Sequence, residues 1–354
     1  MDMIRILFLA DTHLGFDSTF KPRVMRRRRG LDFFRNFERA LEPAYRGEVD
    51  LVCHGGDIFY RSKVPAQLVD MAFEPLRKVA EKGVPVYIVP GNHERSLIPF
   101  RILAAHPHIF IFEKPMCYCM EIRGHRCVLA GFPFIRDGIR EKFKRVLHKT
   151  GWRDMRGGTY ILCMHQSVDG CTMGPRNYTF RGGADVVDFH DIPQEFCCVL
   201  SGHMHRWQVL DRDLTGISCA TPVLYPGSIE RTSFAEKDEK KGYLTLQINI
   251  DDEEMDRPFQ WQFNELPARP MVQLEYDATA EDAPRFETWL RERMSRIPED
   301  SIVKIRIRGE PSPEVLTMIR ARSIRSIAPV TMNVSVTMPV EQFVGKSPRR
   351  YATH

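Results

Sequence analysis

The chain has 354 residues, 43% of them hydrophobic and 27% charged, with a net charge of +5. That length predicts two domains with room for a sizeable core, and the composition is that of a soluble globular protein without repeats or low-complexity tracts. No apolar stretch approaches 18 residues, which excludes a membrane-spanning helix, and nine scattered cysteines argue against a secreted disulfide framework.

Short apolar runs at Ile4–Ala10, Leu51–Cys53, Val84–Val89, Cys127–Ala130, Tyr160–Met164 and Cys197–Leu200 read as strands buried on both faces. A helix is predicted between the first two, with Leu31, Phe34, Phe37, Leu41 and Ala44 at spacings of three and four. A second helix is predicted from Ala66 to Lys82 through Leu68, Met71, Leu76 and Val79. Gly242–Ile250 reads as a pairing strand, and the acidic, Pro-containing stretch Asp251–Pro270 as a linker. A smaller unit follows: strand Met271–Tyr276, helix Pro284–Ile297, strand Ile302–Arg308, helix Pro313–Ile324 and strand Val330–Met338. Val303, Ile305 and Ile307 alternate with Lys304, Arg306 and Arg308, giving one apolar and one basic face. Residues 1–265, 270–340 and a basic tail at 341–354 are therefore expected to be separate parts. Strands alternating with helices predict an α/β class with a layered α/β/α core.

Polar motifs sit where these strands end. Asp11 and His13 follow the first strand, Asp57 the second, Asn92 and His93 the third, His165 a later one, and His203 with His205 another. In open α/β sheets, ligands and catalytic groups gather outside the carboxyl ends of strands. Two Asp, one Asn and five His would thus meet at one sheet edge. Imidazole and carboxylate together suit divalent manganese, iron or zinc, and the number of donors is enough for two ions. A carboxylate can bridge such a pair through its two oxygens. Two ions about 4 Å apart can clamp the attacking and leaving oxygens of an in-line displacement at phosphorus. A remaining His could protonate the leaving oxygen or stabilise the charge that develops.

The order D-x-H, G-D, G-N-H, H and G-H-x-H resembles the calcineurin-like metallophosphoesterase superfamily. Asp11-Thr-His-Leu-Gly15, Gly56-Asp-Ile-Phe59, Gly91-Asn-His-Glu94 and Pro226-Gly-Ser-Ile-Glu-Arg231 leading to Lys241-Gly-Tyr243 are similar to the SbcD / Mre-eleven branch of DNA-repair nucleases. The resemblance covers roughly residues 1–250, and the small unit matches that branch's capping domain in element order. It implies a β-sandwich flanked by helices as the phosphoesterase core. It also implies that Asp11, His13 and His205 hold one metal and Asn92, His165 and His203 the other, with Asp57 bridging. His93 would serve the transition state or leaving group, and the metals would be Mn2+, with Fe2+, Zn2+ or Mg2+ as substitutes. DNA would be the substrate for exo- or endonuclease cleavage in repair, an SbcC-type coiled-coil ATPase the partner, and a homodimer the assembly. The location would be cytoplasmic, on the nucleoid in a bacterium.

Two positions depart from the branch. Tyr60 stands three after the bridging Asp, where His or Asp is usual, and the sequence stops soon after the small unit without a linker and helical hairpin to grip the ATPase. Either the full protein continues further or its partner docks differently. Around the motifs, Tyr60 could contact substrate, Arg26, Arg27, Arg28 and Arg29 could contact phosphates or form a solvated helix start, and Phe16 and Phe20 could stack on bases or pack inward. The loop Ser167–Asp188, with Arg176, Tyr178 and Arg181, could shape substrate choice. The alternative readings are a phosphodiesterase or phosphatase acting on nucleotides or phosphoproteins, and a DNA-binding scaffold with a vestigial site.

Overall fold

The computed structural model describes residues 3–16, 29–94, 103, 105–249, 259–279 and 283–338. Arg26, Arg27, Arg28, Phe20 and the tail at 341–354 lie outside them. Two compact units are present, one ending at Ala268 and the other beginning at Arg269.

The first unit is built on two six-stranded sheets. One sheet takes the order Phe259–Leu266, Lys241–Asn249, Met3–Leu9, Leu51–His54, Val86–Ile88, Ile109–Ile111. The last four of these strands run parallel, and the first two are antiparallel additions. The other sheet takes the order Gln208–Arg212, Ser218–Tyr225, Phe196–Ser201, Thr159–Met164, His125–Gly131, Met116–Ile122, with a parallel centre and antiparallel edges.

Side-chain alternation explains why the strands read as unbroken apolar runs. Ile4, Ile6 and Phe8 share one buried cluster with Leu129, Ile161, Cys163 and Leu200 of the second sheet, between the two layers. Leu7 and Leu9, on the other face of the same strand, join Phe33, Phe37, Leu41, Phe73 and Leu76 of the helices Gly30–Tyr45 and Ala66–Glu81. On the outer face of the second sheet, Leu162, Met164 and Val199 meet Phe143 and Val146 of the helix Ile139–His148. Each central strand thus has apolar cover on both faces, and the layers run helix, sheet, sheet, helix.

Several expectations need correction. The segment Asp251–Pro270 is not simply a linker. Its second half forms the strand Phe259–Leu266, paired from Ile248↔Phe259 to Lys241↔Leu266. Phe259, Trp261 and Phe263 alternate there with Gln260, Gln262 and Asn264, a two-residue period that the acidic and Pro residues before it obscure. Leu31 and Met71 are exposed rather than turned to the core, at 47% and 44%. The inward stripe of the first helix instead runs through Phe33, Phe37, Ala40 and Ala44.

The second unit has three parallel strands, Met271–Ala278, Ile302–Gly309 and Asn333–Thr337. Phe286 and Leu290 of the helix Ala283–Ser295 pack with Val303, Ile305 and Ile307. The predicted helix Pro313–Ile324 is two short helices, Pro313–Met318 and Ala321–Ile327, separated by the extended backbone of Arg320. The last strand starts at Asn333, not Val330, which is 71% exposed. Arg306 and Arg308 lie on the open face as expected, but Glu275 pairs with both, at 3.7 and 2.6 Å. No helix among the described residues is long and apolar enough to cross a membrane. All nine cysteines are free thiols.

Candidate metal centre

Two loops of the first sheet form the floor of the site. The chain leaving Met3–Leu9 continues beside the chain leaving Leu51–His54, and their backbones stay paired beyond the strands. Asp11 N–H donates to Gly56 O (2.9 Å), His13 N–H to Asp57 O (3.0 Å) and Leu14 N–H to Ile58 O (2.7 Å). Buried His54 lies beneath this ladder, accepting from Gly56 N–H at Nδ1 (3.1 Å) and meeting the Thr12 hydroxyl at Nε2 (3.1 Å). It is a structural histidine.

Asp11, His13, Asp57 and His203 all have positive φ, between 43° and 84°. Non-glycine residues adopt that region at a cost, and such strain persists where the surrounding fold enforces it. Here it accompanies four polar side chains that come from three loops, two of the first sheet and one of the second.

The side chains converge. His13 Nε2 lies 2.9 Å from His205 Nε2, and Asp57 Oδ2 lies 3.6 Å from His165 Nε2 and 3.8 Å from His93 Nε2. Asn92 Oδ1 is 3.0 Å from both His165 Nε2 and His203 Nδ1. Three sets bring potential ligand atoms within 4.8 Å of one another: Asp11, His13 and His205; His13, Asp57 and His93; and Asp11, Asp57 and His165. Asp11, His13 and Asp57 therefore each belong to two sets, and Asp57 shares one with His13 and His93 and another with His165.

Outer contacts select which ring nitrogens face inward. His165 Nδ1 donates to Gly55 O (2.6 Å), His93 Nδ1 to Tyr60 O (2.7 Å), and His205 Nδ1 to Glu236 Oε1 (3.2 Å). A carbonyl or carboxylate only accepts, so each of these rings keeps Nε2 for the centre.

Burial and charge act against each other within the cluster. Burial would raise Asp57, but His165, His13 and His93 around it hold the carboxyl far below its usual range. Burial pushes Asp11 up to about 6 against the pull of His165 and His205. Burial and then neighbouring imidazoles drive His203 down to about 3 and His13 well below its ordinary value. His165 shifts the other way, to about 9, because the negative Asp57 outweighs burial. The result is a buried carboxylate ringed by imidazoles, two of which strongly prefer to be neutral.

This donor set fits divalent cations. His13 Nδ1 is buried and makes no hydrogen bond, and two imidazole Nε2 atoms face each other. Neutral imidazoles and carboxylates are the ligands such ions take.

Glu94 received no role from the sequence although it ends the quoted Gly91-Asn-His-Glu94 motif. Half-buried, it accepts backbone N–H groups from Asp57 (2.7 Å), Gly91 (2.8 Å) and Phe59 (2.9 Å), tying two loops together. Glu236 was also missed, hidden in a charge-rich stretch that resembles a solvated turn. Among the suggested substrate contacts, Tyr60 stands beside the centre, its ring 6.2 Å from His93 and 4.8 Å from Phe16. Arg29 places its guanidinium over the Phe16 ring and donates to the Arg231 carbonyl, so it is part of the packing here. Phe16 stacks on Phe33, which favours the packing reading of that residue. Tyr178, 63% exposed, lies on a small hairpin secured by Arg206, which donates to Asn177 Oδ1 (2.7 Å) and Gly174 O (2.7 Å).

Comparison with known proteins places the chain in a family. The family described as "Calcineurin-like phosphoesterase" matches residues 4–207. A protein of Aeropyrum pernix named DNA double-strand break repair protein Mre11 is 25% identical over 78% of this chain and 64% of its own length. One of Haloferax volcanii with the same name is 25% identical over 87% of this chain and 62% of its own. The chain thus spans less than two thirds of these curated relatives. A solved structure, TT1561 of Thermus thermophilus, aligns with 15% identity and a TM-score of 0.43, covering 74% of this chain and 99% of that one.

Proposed function

This chain belongs to the calcineurin-like phosphoesterase family, and we propose that within it the protein is a manganese-dependent nuclease that hydrolyses phosphodiester bonds of DNA during repair. The observation that carries the reading is Asp57, 3.6 Å from His165 Nε2 and 3.8 Å from His93 Nε2 in a cluster shared with Asp11, His13 and His205. Asp11, His13 and His205 would hold one ion, Asn92, His165 and His203 the other, and Asp57 would bridge them. When bound, the two ions neutralise phosphate charge and make water nucleophilic near neutral pH.

The chain's own residues do the rest. His93 is partly exposed, at 31% of its side chain. The Tyr60 carbonyl holds a proton on its Nδ1, so its Nε2 is the atom available to give a proton to a departing sugar oxygen. Buried His165 and half-buried His203 have the Phe134 ring 5.8 and 5.5 Å from theirs. The names of the Mre11 relatives support DNA as substrate. By the same analogy a coiled-coil ATPase of the SbcC type is the proposed partner, a homodimer the assembly and the cytoplasm the location.

The test is cleavage of end-labelled duplex, linear single-stranded DNA and closed single-stranded circles in Mn2+, with His93→Ala protein and a chelator as controls. Cleavage lost in both controls is the expected result, and cutting of circles would add endonuclease action. Hydrolysis of a simple phosphodiester with every DNA left intact would overturn DNA as the substrate and leave the metal chemistry standing.

A further inference from the structure

One charged group braces the centre from behind. Lys241 has no exposed side-chain surface, and its ammonium donates three hydrogen bonds: to His205 O (2.9 Å), Glu236 Oε2 (2.7 Å) and Glu239 Oε2 (3.2 Å). A buried lysine is tolerated only when its charge is met in this way. The other oxygen of Glu236 accepts from His205 Nδ1 (3.2 Å) and from the Thr232 hydroxyl (2.6 Å). A single ammonium therefore holds both the backbone of His205 and the carboxylate that orients its ring.

The site histidines are not equivalent in this respect. His165 and His93 rest their rear nitrogens on neutral carbonyls, those of Gly55 and Tyr60. His203 turns its Nδ1 toward the Asn92 amide, and His13 Nδ1 has no hydrogen bond. Among the described residues, His205 alone of these rings has a carboxylate hydrogen-bonded behind it. Such a contact fixes tautomer and orientation and makes the outward nitrogen a better donor.

We infer that Glu236, held by Lys241, is a positioning residue that sets the affinity of one of two metal ions, the one taken by Asp11, His13 and His205. This rests on the two-ion reading of the centre. It predicts that the two ions respond unequally to changes at residue 236.

The experiment is calorimetric titration of the full chain with Mn2+, together with Co2+ absorption spectra, on the wild type, Glu236→Ala and Glu236→Gln. The expected result is a loss of about 10- to 100-fold in affinity for one ion in Glu236→Ala, with the other ion little changed. Glu236→Gln keeps an acceptor for His205 Nδ1 without the charge, should fold even where the alanine variant does not, and should give a smaller loss for the same ion. The Co2+ bands of one ion only should shift. Two ions bound by both variants as tightly as by wild type would overturn the inference, and so would equal weakening of both ions. Wild-type protein taking up fewer than two ions would overturn the two-ion reading, and this inference with it.

Discussion

The carboxylate of Glu94 accepts the backbone N–H of Asp57 at 2.7 Å. With the N–H groups of Phe59 and Gly91 on the same side chain, it fixes the strained turn that aims Asp57 at the histidines. Burial and the nearby Asp57 charge push Glu94 up to about 8, so this turn is held by a carboxyl in a demanding environment.

Glu94→Ala would leave three enclosed N–H groups without an acceptor. An unsatisfied buried donor costs about 1–3 kcal/mol, so a loss of roughly 3 kcal/mol or more of folding stability is expected, measurable by urea denaturation. An unchanged denaturation midpoint would show that water takes over the role of Glu94.

Gly202 approaches the first sheet closely. A Cβ there would lie 2.2 Å from Gly55 O and 2.7 Å from His165 Nδ1. Gly202→Ala should displace His165 and destabilise the fold by about 1–3 kcal/mol through overpacking. Thermal melting checks the stability, and metal titration of the folded fraction should show weaker binding. Wild-type melting and binding together would mean that the backbone gives way at no cost.

Much of this was legible in the sequence. Asp11, Asp57, His93 and His165 stand at strand ends, and strand ends are set by apolar runs that can be read directly. Glu94 and Glu236 are different. Their importance comes from backbone N–H groups and a histidine that only the folded chain brings near, from Asp57 to Glu94 and from His205 to Glu236. The strand Phe259–Leu266 was hidden for a related reason, since half-exposed edge strands carry a weaker apolar signal than central ones. In sequence Arg29 belongs to a basic run that points to solvent or phosphate, whereas its place over Phe16 depends on a neighbouring loop.

Metal binding should release protons. His165 sits at about 9 in the metal-free protein, so it is protonated below that pH and must lose its proton to become a ligand. Affinity for Mn2+ should therefore rise with pH up to about 9 and level off above it. Calorimetry at a pH of about 7.5 in two buffers of different ionisation enthalpy would count the protons released. Identical heats in the two buffers would contradict this.

His93→Ala and Asp57→Ala should separate chemistry from metal binding. The first should retain both ions while kcat falls about 10²–10⁴-fold, the usual contribution of a general acid. The second should lose metal as well, seen as reduced metal content after dialysis. Loss of an ion in His93→Ala would instead make that imidazole a ligand, as its place near His13 and Asp57 allows geometrically.

The centre draws Asp11, Asp57 and Asn92 from one sheet and His165, His203 and His205 from loops of the other, so that Asp11 and His203 meet across 192 positions of sequence. No fragment holding one sheet alone carries the full set of donors. The ions should therefore bind late in folding, once the layers have closed, and then act as a clamp between them. Their binding energy adds directly to global stability in proportion to the logarithm of free metal concentration. A chelator would then lower the melting temperature as well as the activity, and refolding could be followed by metal uptake as a signal that the two sheets have joined.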